Sequence, residues 1–253
     1  MAQSPRPQVL ITGAARRIGA VLARRFAADG WHVVIHAGHS AAQARELAAT
    51  LPSAEVVEAD LLDLDAALAM IADLSARLDD WRVLINCAAV FRPDTAEAID
   101  PAIFAEAIRV NAETPTAMAQ AFLNKARARG GKRVIQFLDQ KLLNPNPDFF
   151  SYTMAKHAFA STVRMLAMAA PDPATRVYGL APGAMMPSWD QAAEEHELSG
   201  RMNLLKRLTD PEELADAALF MARGWLASGE TIYVDSGQHL LSQPRDVLYL
   251  ARE

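Results

Sequence analysis

The clearest chemistry in this chain lies at Tyr152-Thr-Met-Ala-Lys156. A tyrosine and a lysine four residues apart share one face of a helix and stand within reach of each other. Free tyrosine, with a pKa of about 10, is a poor proton donor or acceptor near neutrality. A neighbouring ammonium favours the phenolate and should draw that pKa down, making the pair an acid–base device. The same spacing also arises by chance on solvated helix surfaces, so its meaning depends on context. Thr12-Gly-Ala-Ala-Arg-Arg-Ile-Gly19 supplies some of that context, because it closes an apolar strand and opens a helix near the N-terminus. Glycines there let the backbone approach a pyrophosphate, and the helix start offers free N–H groups and a positive dipole end. Ahead of the tyrosine stands Asp139, whose ionised carboxylate accepts hydrogen bonds and donates none.

The second strand ends in His36-Ala-Gly-His-Ser40. An NAD-specific site places a carboxylate here for the adenosine ribose hydroxyls. None is present. Arg16, His39 and Ser40 offer donors that suit a 2′-phosphate, so NADPH is the expected cofactor. A metal reading of His36 and His39 lacks a third ligand.

Short apolar strand candidates at 8–12, 32–36, 54–59, 83–86, 133–138, 176–180 and 231–234 must position these groups. Amphipathic helical patterns separate them, among them 17–29, 41–51, 64–78 and 115–128. Such alternation predicts βαβ crossovers and a parallel sheet buried on both faces. The expected fold is α/β: one Rossmann-type, doubly wound domain over residues 1–253, with a seven-stranded parallel sheet. Asn144-Pro-Asn-Pro-Asp148 should be a loop, and segment 184–200 either a mobile lid or an ordinary surface helix. A net charge of −5 speaks against nucleic-acid and anionic-membrane partners. The single cysteine, Cys87, excludes an intrachain disulfide and fits a reducing compartment. The polar, Pro-rich start is not a secretory signal, so a cytoplasmic protein is expected.

The glycine turn resembles the T-G-x-x-x-G-x-G segment of short-chain dehydrogenases/reductases, with Arg17 in place of the middle glycine. That replacement resembles the pteridine reductase branch, as do Asp139, thirteen residues before the tyrosine where ordinary members carry serine, and His36 with Ser40 as an H-x-x-x-S phosphate segment. The resemblance runs from about Val9 to Leu240. It implies cofactor contacts from Gly13, Arg16, Arg17, Ile18 and Gly19, from His36, His39 and Ser40, and from the adenine-facing pair Asp60-Leu61. It adds Asn86 and Ala88 in a segment similar to N-N-A-G, Pro182-Gly183, and Tyr152 with Lys156, the lysine holding the nicotinamide ribose. Asn111 would bend a helix and support a water path to that lysine.

For the substrate, the resemblance implies a pterin sandwiched by Phe91 and held by Arg17, Asp139 and Tyr152, though a core phenylalanine is the alternative for Phe91. Ala89 departs from the branch, which has a pterin-contacting serine there. The expected activity is NADPH-dependent reduction of a C=N bond in a dihydropterin or related pteridine. A reductase of ketones or 3-oxoacyl compounds is the rival, and a silent nucleotide-binding sensor stands further off. The family also implies a homotetramer, with tail 242–253 either reaching across an interface or frayed.

Overall fold

The computed structural model describes residues 6–188 and 190–253; the opening stretch 1–5 and position 189, inside the expected lid, lie outside the described residues. The first half runs β1 (Gln8–Ile11), α1 (Arg17–Ala28), β2 (His32–Ala37), α2 (Ala41–Thr50), β3 (Ala54–Glu58), α3 (Leu64–Arg77) and β4 (Trp81–Asn86). The second runs α4 (Pro101–Ile108), α5 (Thr114–Lys125), β5 (Arg133–Phe137), α6 (Phe150–Ala169), β6 (Arg176–Pro182), α7 (Ala193–Gly200), α8 (Pro211–Ala222), β7 (Thr231–Val234) and α9 (Val247–Leu250). The seven strands form one parallel sheet in the order β3-β2-β1-β4-β5-β6-β7.

Strand side chains alternate between two cores. Val9 and Ile11 of β1 pack with Val83, Ile85, Phe26 and Leu214 under α1 and α8. Leu10 points the other way and packs with Leu84, Ile71, Phe122 and Phe159 under α3, α5 and α6. All three β1 residues are fully buried, which explains why the run reads as continuously apolar rather than alternating. Trp81 and Phe122 meet edge to face at 4.7 Å, a contact worth about 1 kcal/mol beyond its burial. The sheet order reverses between β1 and β4, and in open α/β sheets ligands bind outside the strand ends at such a switch point.

Most strand and helix starts, and both ends of β7, fall where expected, and the remaining ends differ by one to three residues. β4 starts earlier, at Trp81, because the Trp81 N–H reaches the Arg127 carbonyl at 2.8 Å. That bond needs extended chain after α5, which stops at Lys125. Between α4 and α5 the helix widens into a π turn, Arg109–Glu113, centred on Asn111.

Candidate active site

A cleft of about 620 Å³ opens at the carboxyl ends of the central strands. One end is built by the β1–α1 turn. Gly13 has φ +66°, and a side chain there would meet the Ala88 Cα at 2.9 Å. The Thr12 hydroxyl ties the two strand exits together by accepting the N–H groups of Cys87 and Ala88 at 2.9 and 3.0 Å. Gly19 lies tight under this turn, where an added Cβ would fall 2.3 Å from the Gly13 carbonyl oxygen. At the N-cap of α1, Arg16 makes no side-chain capping bond, and no acidic residue stands in the first turn. That helix start therefore keeps its positive character toward the cleft. Arg16, Arg17, Ile18, His39, Ser40, Asp60, Leu61, Ala88, Pro182 and Gly183 all line the cleft. Ser40 caps α2 without spending its hydroxyl on the helix.

Two residues expected to touch a cofactor also hold bonds within the protein. His36 is buried; its Nδ1 accepts the Gly13 N–H at 3.2 Å, and its Nε2 pairs with the Ala59 carbonyl at 3.0 Å. One ring nitrogen braces the glycine turn and the other the chain after β3, the residue still lines the cleft, and burial pushes the ring's pKa down. Asn86 lies beneath the cleft rather than on its lining, donating to the Gln136 side chain at 2.8 Å and to the Pro115 carbonyl at 3.0 Å.

Asp139, Tyr152 and Lys156 meet at the cleft's other end. The Tyr152 hydroxyl donates to Asp139 Oδ2 at 2.8 Å, while Asp139 Oδ1 accepts the Lys141 N–H at 2.9 Å. Lys156 is buried and donates to the Phe137 carbonyl at 2.6 Å, with its nitrogen 5.5 Å from the Tyr152 ring centre. The expected lowering of the Tyr152 pKa is not what this arrangement produces. Burial, then the Asp139 carboxylate beside the hydroxyl, push the phenol well above its ordinary value. Burial also raises Asp139 above the usual aspartate range and draws Lys156 down to about 8. Cys87, half-buried at the cleft wall, is inert, since burial raises its thiol to about 12.

Phe91 sits at the cleft mouth, not in the core. It stacks on Phe149 with centroids 4.0 Å apart and meets Tyr152 edge-on at 4.7 Å. Asp94 holds this loop against the start of α6 by accepting the Ser151 N–H at 3.0 Å and the Ser151 hydroxyl. Phe149, just before α6, takes a left-handed φ of +53° to place its ring. Asn111 secures the loop from below: its amide accepts the Val90 N–H at 2.8 Å and donates to the Val90 carbonyl at 2.9 Å. That side chain ties down Val90, next to Phe91.

Among its described residues the lid candidate carries the short α7, and it is tied down. Arg17, itself at φ +53°, donates to the Pro187 carbonyl at 2.8 Å, and both Met185 and Met186 line the cleft. The tail folds back onto its own chain. Gln243 exchanges hydrogen bonds with Asn144, and Arg252 pairs with Asp190 and Glu195. This brings Asp246, Val247 and Leu248 into the cleft wall. Together with Gln140 and Lys141, they are site residues that sequence reasoning missed. Among the described residues no cluster could hold a metal ion, and no helix is long and apolar enough to cross a membrane.

These features agree with the comparisons to known proteins. A solved structure of FolM alternative dihydrofolate reductase 1 from Brucella canis, complexed with NADP, superposes with a TM-score of 0.87 at 31% identity, covering 95% of this chain and 96% of that one. Pteridine reductase 1 of Leishmania tarentolae is 29% identical over 92% of this chain and 96% of its own. A putative granaticin polyketide synthase ketoacyl reductase of Streptomyces violaceoruber is 28% identical over 93% and 97%. The family model described as enoyl-(acyl carrier protein) reductase matches residues 13–239. The chain belongs to the short-chain dehydrogenase/reductase family of oxidoreductases.

Proposed function

We propose that this enzyme uses NADPH to reduce a C=N bond of a dihydropterin or a related pteridine, on one binding domain that spans the chain. The cleft fits the cofactor by shape and charge. A side chain at Gly13 would be blocked by Ala88, the α1 start is uncapped, and no carboxylate closes β2. The β1–α1 turn would hold the pyrophosphate, Arg16, His39 and Ser40 the 2′-phosphate, Asp60 and Leu61 the adenine end, and Tyr152 with Lys156 the nicotinamide ribose. When bound, NADPH supplies the hydride.

The observation that carries the substrate half is the 2.8 Å hydrogen bond from Tyr152 to Asp139. An ionised carboxylate here cannot donate to a ketone oxygen, but it can accept from a ring amino or ring N–H group. The free site keeps Tyr152 as a loaded phenol, because burial and Asp139 both oppose its ionisation. A substrate N–H that takes over the Asp139 oxygen draws negative charge away from the hydroxyl and strengthens it as an acid. Tyr152 then gives its proton to the ring nitrogen, and the buried Lys156 ammonium stabilises the phenolate left behind. Phe91 offers its ring beside Tyr152 for a flat heteroaromatic substrate. The names of two of the similar proteins, a pteridine reductase and an alternative dihydrofolate reductase, accord with this reading.

One observation favours the carbonyl rival. Burial raises the Asp139 pKa, and a protonated Asp139 could polarise a ketone as a serine does. The Asp139→Ser variant separates the two. Pteridine turnover should fall at least about 100-fold as the acceptor is lost; ketone turnover that is kept or gained would favour the carbonyl reductase. The two readings also predict opposite pH responses. Pteridine turnover needs ionised Asp139 and fails as pH falls, whereas carbonyl turnover needs its proton and fails as pH rises.

We also propose a cytoplasmic homotetramer. Exposed Met165 and Met168 on α6, and Trp225 after α8, present apolar surface that assembly would cover. A monomer in sedimentation would refute it.

A further inference from the structure

The C-terminal segment does more than wall the cleft. Asp246 places its carboxylate 2.7 Å from the Lys141 ammonium, and both side chains are nearly shielded from solvent, at 11% and 3% exposure. Lys141 also donates to Asn146 Oδ1 at 2.9 Å and to the Asp148 carbonyl at 3.0 Å. Its backbone N–H is the group that Asp139 Oδ1 accepts. Asp246 is fixed in turn, because Asp148 Oδ2 accepts the Asp246 N–H and the Arg245 Nε–H, each at 2.8 Å. Two buried charges thus connect the end of the chain to the turn that carries Asp139.

We propose that Asp246 is a positioning residue that, through Lys141, sets the pH at which Asp139 carries its charge. A buried ammonium left unpaired two residues from Asp139 would hold that carboxylate ionised far into acid. Paired with Asp246, Lys141 presents a near-neutral ion pair, and its pull on Asp139 is muted. Burial raises Asp139 above the usual aspartate range, while Lys141 and Lys156 act to lower it. The other groups facing Asp139 are accounted for. Tyr152 and Lys156 approach from α6, and Cys87, just after β4, bears on those two side chains with a neutral thiol. Asp148 and Arg245 pair with each other beside Lys141. The inference rests on the reading that Asp139 and Tyr152 are the reacting pair.

The test follows Asp139 by carbon-13 NMR of labelled aspartate carboxyls in the cofactor-free protein, its signal assigned with Asp139→Asn, alongside the Asp139-dependent limb of the kcat/KM profile. Asp246→Asn, which leaves Lys141 unpaired, should move both midpoints down by about half a pH unit or more. Lys141→Gln should move them up, and Asp246→Glu should leave them near the parent value. Opposite shifts are the signature, because a merely structural role would cost turnover without moving either midpoint. Shifts of one sign, or none, overturn the proposal; if one variant does not fold, the sign given by the other decides. Full turnover in Tyr152→Phe would instead overturn the reading of the reacting pair, while the carboxyl titration would still decide the role of Asp246.

Discussion

Tyr152, Lys156 and Asp139 show how far a residue's neighbours override its type. From spacing alone, the lysine should lower the tyrosine's pKa. In the folded chain burial, and then the Asp139 carboxylate that accepts from the phenol, raise that pKa, while the lysine bonds a main-chain carbonyl, so the shift has the opposite sign. Which residues meet was legible, because the tyrosine–lysine spacing is local to one helix. Their electrostatics was not, because Asp139 arrives on another element. A pH prediction follows from Lys156. Burial draws its ammonium down to about 8, with Asp139 opposing the shift. The cation is therefore present below that pH and lost above it. If the cation serves turnover, kcat/KM should fall as pH rises through about 8. A profile flat to about pH 10, the ordinary lysine range, would show that the charge is not needed.

At the scale of elements, the sheet was the most legible part, since buried parallel strands leave apolar runs no helix period explains. Two helices not singled out had signals of their own. Asp210-Pro211-Glu212-Glu213 is a capping box that opens α8, with Asp210 accepting the Glu212 N–H at 2.9 Å, and Asp100 caps α4 ahead of Pro101 by accepting the Ala102 and Ile103 N–H groups. The π turn at Asn111 had no such signal beyond the asparagine itself. Its amide satisfies both backbone groups of Val90, so Asn111→Ala strands two polar groups below the Phe91 loop. We predict a loss of about 1–3 kcal/mol in denaturant unfolding, with KM for substrate raised more than kcat is lowered. Unchanged stability would mean the clamp contributes nothing.

Across the whole molecule, the wall contributed by the tail was illegible for a simple reason. Asn144 with Gln243 and Asp148 with Arg245 are pairs 99 and 97 residues apart, and sequence carries no local mark of such contacts. The tail is neither frayed nor free within this chain, since Asp246, Val247 and Leu248 line the cleft. Removing residues 244–253 should leave NADPH affinity near its parent value while raising substrate KM, because Asp246, Val247 and Leu248 line the cleft and the Gly13 turn lies elsewhere in it. Equal losses in both would point to general unfolding. What this cleft reduces decides the enzyme's function. The most direct measurement is NADPH oxidation at about 340 nm with dihydrobiopterin, dihydrofolate and a panel of small ketones, run beside Tyr152→Phe. Pteridine turnover that drops at least about 100-fold in the variant is the predicted result. Turnover of ketones alone would contradict the pteridine assignment and leave a carbonyl reductase.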